Sequence, residues 1–271
     1  MNRRFVMTFP YFSLKMATLS VAITVELLSI SPLPIWARSI NPINQPVSLN
    51  WTPPNRGTPN QTEGGASRDD AKCSEDEVKP NPPLMALMPT DSVVLTVAER
   101  PTFFIYVPKI SAETAEFVLK DENEDDIYKT RVTLPEKAGI ISISLPPTAE
   151  ALETGKTYRW YFDLVCNSGK RLFVDRLSIQ RTEPNSTLAE ALKKAQPRDR
   201  PSLYAQNGIW YDTLQALAAL RYTSPNDTSL AADWKQLLES SGLKAIADQP
   251  LSNCCTPESR GAARENPLTN N

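Results

Sequence analysis

The sequence contains no histidine, and this absence removes more chemistry than any motif adds. A Ser-His-Asp or Cys-His relay needs an imidazole that titrates near neutrality, and the common zinc sites take one or more imidazole ligands. Both are excluded. Carboxylate pairs, lysine bases and oxygen-only sites for hard cations stay open. A CxxC pair is also missing, so the four cysteines are poorly placed to seat a structural zinc. Long apolar runs are absent too: a spanning helix wants roughly 20 apolar residues, and the run between Lys15 and Glu26 is far shorter. No basic patch with interleaved aromatics occurs, so nucleic acid is not an expected partner.

What is present begins with an export address. Arg3 and Arg4 form a positive n-region, Met16 to Ile30 is mostly apolar, Pro32 and Pro34 break the helix, and Ala37 puts a small residue where signal peptidase would cut. Residues 1–37 therefore read as a signal peptide, with no membrane span after cleavage; an uncleaved anchor is the poorer alternative. Its removal takes the formal charge from -2 to about -4, a mildly acidic surface. Cysteines stand at Cys73, Cys166, Cys254 and Cys255. An even number in an exported chain points to two disulfides. Adjacent cysteines rarely bond to each other, so Cys254 and Cys255 are expected to take Cys73 and Cys166 as partners, in either order. Free buried thiols are the alternative.

Residues 38–83 are rich in proline, asparagine, glycine and threonine and lack hydrophobic periodicity, which predicts a disordered tether. Residues 84–182 change to short alternating runs punctuated by turn residues, as in a sandwich or barrel. In KTYRWYFDLVC, alternation puts Tyr158, Trp160, Phe162, Leu164 and Cys166 on one face and Arg159, Tyr161 and Asp163 on the other. RLFVDRLSIQR reads as a further strand. From residue 183 to 255 the period shifts toward 3.6. Thr187 and Glu190 suggest a capping box for a first helix, and further helices are expected from near Pro201, from Ile209 to about Tyr222, and around Leu230 to Leu238. Residues 256–271 read as a disordered tail. The expected fold class is α+β: an antiparallel β-sandwich, Ig-like or jelly-roll-like, followed by a small C-terminal helical layer packed on the sheet.

The strings PTFFIYVP, AEFVLKD, LETGKTYRWYF-x-x-x-C and LYAQNGIWYDTLQALAAL, then W-x-x-LL-x-x-x-GL and a late CC, together resemble the cyanobacterial domain of unknown function 928 family. The resemblance covers about Leu84 to Cys255. It implies an exported protein of a cyanobacterial envelope, and it carries no activity and no catalytic residue to transfer.

Three groups of residues are candidates for chemistry. Asp121, Asn123 and Asp125 match the 1, 3, 5 spacing of a calcium loop, but Asp126 stands where glycine is needed and Val132 where the bidentate glutamate belongs. A solvated hairpin tip accounts for the same residues. Tyr204, Trp210, Tyr211 and Trp234, with the carboxylate of Asp212 in GIWYD, could form a sugar- or peptide-binding shelf, or Trp210 and Trp234 could anchor the helices to the sheet. Asp163 and Asp175 could serve a glycosidase only if they flanked a cleft. The expected function is a non-enzymatic binding or scaffolding module in the periplasm or cell envelope, without cofactor, whose partner is another envelope protein or a polysaccharide. A carboxylate-dependent glycan or peptidoglycan hydrolase and a calcium-stabilised adhesion element are the alternatives.

Overall fold

The computed structural model describes residues 49–54, 72–89 and 94–252, all within the unit Pro46–Asn271. The expected signal peptide and tail, and Cys254 and Cys255, lie outside these residues, as do the side chains of Asp175 and Arg176. The described chain is mixed α+β, with two largely antiparallel sheets followed by four helices.

Alternation in the sequence becomes alternation in burial. β4 (Ala112–Lys120), β5 (Asp126–Thr133), β7 (Thr157–Cys166) and β8 (Arg171–Arg181) form most of a five-stranded sheet, completed by the short β2 (Leu95–Thr96) in the order β2-β8-β7-β4-β5. Only the β2–β8 pairing is parallel. Along β7 the five residues expected on one face, Tyr158 through Cys166, are all buried. The second sheet has the order β1-β3-β6, from β1 (Met85–Ala86), β3 (Thr102–Val107) and β6 (Gly139–Ser144). Every residue of β3 is buried, so this strand has no wet face, as its continuous apolar run implies. Phe103 of β3 lies 4.9 Å from Phe117 of β4 and 5.2 Å from Trp160 of β7, centroid to centroid. Both sheets thus contribute to one core.

The helices are α1 (Ser186–Lys194), α2 (Arg200–Gln206), α3 (Trp210–Thr223) and α4 (Thr228–Ser240). The expected capping box does not form at Thr187. Asn185 is the N-cap instead, its Oδ1 accepting from the Leu188 N–H at 2.8 Å. Asparagine caps at least as well as threonine and stands two residues earlier, so the helix begins there. Asp227 caps α4 by accepting from the N–H groups of Ser229 and Leu230, and the Ser229 hydroxyl holds its carboxyl low, at about 2.

Two expectations for the N-terminal part are corrected. Cys73 does not pair with Cys254 or Cys255; it bonds Cys166, closing a separation of 93 residues. Adjacency said only what the CC pair would avoid. It could not show that the turn at Cys73 lies against the end of β7, where Asp76 fastens it by accepting from the Cys73 N–H and from the N–H and hydroxyl of Ser111. Residues 49–54 and 72–83 also fall in the stretch read as tether, yet Leu49, Trp51 and Cys73 are buried in the main core. Isolated apolar residues without local periodicity are recruited there by partners remote in sequence.

Candidate functional site

The outer face of the five-stranded sheet is where the fold leaves chemistry exposed. Residues facing away from the core across β5, β4, β7 and β8 fall into rows set by the strand register: Arg131, Glu116, Asp163 and Phe173 in one, Lys129, Val118 and Tyr161 in the next. Phe173 is 39% exposed, and with Val78 and Tyr222 it makes up the exposed large hydrophobic residues among the described residues. Beyond Trp160 the β7–β8 register slips by one residue before Phe162, leaving Tyr161 opposite a bulge. Bulges re-aim side chains and often sit beside functional surfaces.

Charges surround these apolar groups in fixed pairs. Glu116 accepts from Lys129 at 2.9 Å and from Arg171 at 2.5 Å, and Arg171 reaches Asp163 at 2.9 Å. The hydrogen bonds from Lys129 and Arg171 hold the Glu116 carboxyl below the usual range, while Glu116 raises the Arg171 guanidinium. Near the hairpin tip, Glu124 takes Arg159 and the Tyr161 hydroxyl, the latter at 3.3 Å. Desolvation, then Glu124, pushes the Tyr161 phenol up. The outer face thus sets Phe173, Tyr161 and Val118 among oriented charge pairs, a mixture that suits contact recognition.

The residues singled out from sequence fall elsewhere. At the tip between β4 and β5, Asp121 Oδ1 accepts from the N–H groups of Asn123 and Asp125, both at 2.9 Å. Those bonds, the Asp125 N–H first, lower its pKa. Glu124 supplies the positive φ of 67° that closes the turn. Asp121 is thus occupied in shaping the hairpin. Trp210, Tyr211 and Trp234 are 0–1% exposed, which places them in the core rather than on a shelf. Trp210 Nε1 donates to the Leu87 carbonyl at 2.7 Å, and Trp160 Nε1 to the Tyr211 hydroxyl at 2.9 Å. Tyr204 packs against a satellite cluster of Leu95, Leu188 and Ile209. Asp163 is tied to Arg171, and the Asp175 side chain is outside the described residues. Cys73, Glu75 and Cys166 bring two sulfurs and a carboxylate within 4.8 Å of one another, but the sulfurs are joined to each other.

A family model described as Domain of Unknown Function matches residues 63–251, which span every strand and helix above. The chain belongs to the DUF928 family. Among curated proteins, none matches this DUF928 chain. No described helix of it is long and apolar enough to cross a membrane.

Sequence reasoning missed Phe173, and it set the Asp212 carboxylate on the aromatic shelf, whereas in the DUF928 fold that group is buried. The signal for Phe173 was an aromatic out of phase with Leu172 and Val174. Asp212 lies in the first turn of α3, 8% exposed, and accepts from the Thr96 hydroxyl at 2.8 Å and the Val97 N–H at 3.0 Å. Burial pushes its carboxyl up to about 6 against the pull of these donors. It clamps the end of β2 to the start of α3, and nothing in the local pattern of GIWYD announces a partner 116 residues away.

Proposed function

We propose that this DUF928 protein is a non-enzymatic binding module of the cell envelope, whose two sheets pack face to face as an antiparallel sandwich and whose five-stranded sheet presents its outer face to a protein or polysaccharide partner. The observation that carries this reading is the exposed Phe173 on the same outer face as Tyr161 and Val118, in the row of Glu116 and Asp163, whose carboxylates are held by Lys129 and Arg171. Exposed aromatics framed by polar groups are common binding anchors. The leader expected at 1–37 and the Cys73–Cys166 bond favour maturation in an oxidising compartment. The family resemblance favours a cyanobacterial envelope. A sequence without histidine, together with acids tied to Arg171, Lys129 and Arg159, favours binding over hydrolysis.

The test is capture from native envelope extract with the full mature chain and with a Tyr161→Ser/Phe173→Ser variant, followed by mass spectrometry and sugar analysis. The wild type should retain a component that the variant loses. Retention of nothing by the wild type, or of the same components by both, would end this reading.

A further inference from the structure

Residues 49–54 carry no helix or strand, yet the helices hold them residue by residue. Leu49 and Trp51 are 3% and 8% exposed. Trp51 meets Trp210 of α3 edge-on, with centroids 4.8 Å apart. Its backbone N–H donates to Ser240 Oγ at the end of α4 at 3.4 Å, and the Thr52 N–H donates to the Ala205 carbonyl in the last turn of α2 at 3.2 Å. Gln236 of α4 donates to Asn50 Oδ1 at 3.0 Å. Pro54 lies over Gly208, the turn between α2 and α3, where φ is +71° and a Cβ would stand 3.1 Å from three Pro54 atoms.

These contacts make up a groove with an aromatic anchor site, partners for two successive backbone donors, and a glycine floor under a proline. Thr52 and Pro53 each precede a proline, which confines them to extended backbone. A segment already so restricted loses little entropy on docking, which is the physical basis of proline-rich peptide recognition in aromatic-lined grooves. The Trp51 indole N–H is buried without a partner among the described residues. A donor left unmet weakens the hold on the chain's own segment, and the same motif in trans would meet the site on equal terms.

We infer that the groove between α4 and the α2–α3 turn is a recognition site for an extended Trp-Thr-Pro-Pro segment, filled by the chain's own residues 49–54 and exchangeable with the same motif presented in trans. This site is separate from the sheet face above and stands independently of it.

The experiment uses the full mature chain, its Trp51→Ala variant and a fluorescein-labelled peptide of residues 46–56. The variant, its anchor site emptied, should bind the peptide saturably. The wild type should bind roughly tenfold more weakly or worse, because its tethered segment competes at high effective concentration. Replacing the peptide's tryptophan by alanine, or adding Gly208→Ala to the variant, should abolish binding. If Trp51→Ala does not fold, hydrogen exchange of the wild type under excess peptide decides: amides 51 and 52 should exchange faster as the segment is displaced. No peptide binding by a folded variant, or unchanged exchange where that arm is needed, overturns the inference.

Discussion

The two faces of the five-stranded sheet are made from the same strands and answer to different physics. On β7 the inner set, Tyr158, Trp160, Phe162, Leu164 and Cys166, is sealed from water, while the outer set of Arg159, Tyr161, Asp163 and Val165 stays exposed or half-buried. Inner residues contribute through apolar area removed from water and through close packing. Outer charges are linked in partly exposed pairs, each worth no more than about 1 kcal/mol. Stability is therefore concentrated on one side, and the other side is free to be shaped by a partner.

The largest effect should come from the covalent link at the inner end of β7. Replacing Cys73 and Cys166 together by serine releases a loop of 93 residues, and denaturant unfolding should show a loss of about 4.7 kcal/mol on the chain-entropy scale. Next, Phe162→Ala removes a ring with 0% exposure, and the same assay should report about 3–5 kcal/mol.

Asp212 sharpens the contrast, because it is an acid placed on the dry side. Its folded pKa of about 6 lies above the ordinary 3.8, so the folded state holds the proton more tightly than the unfolded chain. The native fold is therefore favoured below the unfolded pKa, and that advantage is lost as pH rises from about 4 to about 6. Linkage puts the loss at about 3 kcal/mol. Unfolding of wild type across this window should show that decline, and Asp212→Asn should remove it.

Much of the fold was legible because one face of each strand and helix is dry. The alternation in β7 and the stripes of α3 and α4 announced themselves in KTYRWYFDLVC and in the spacing of Leu230, Trp234, Leu237 and Leu238. Contacts between remote segments were not legible. Nothing local to Cys73 names Cys166, nothing in the proline-rich stretch marks Trp51 as a ring that will meet Trp210, and nothing near Asp212 points to Thr96. For the candidate site, alternation did point Tyr161 outward. Its neighbour Phe173 comes from β8, and only strand register brings the two rows together.

The measurement that bears most directly on a sheet with one face for folding and one for recognition is made on the Tyr161→Ser/Phe173→Ser variant, comparing unfolding free energy and envelope-component retention in the same preparation. Stability within about 0.5 kcal/mol of wild type, together with loss of the retained component, is the predicted result. A fall in stability of about 2 kcal/mol or more, with retention unchanged, would show that the outer aromatics serve the fold and contradict the division of labour between the two faces.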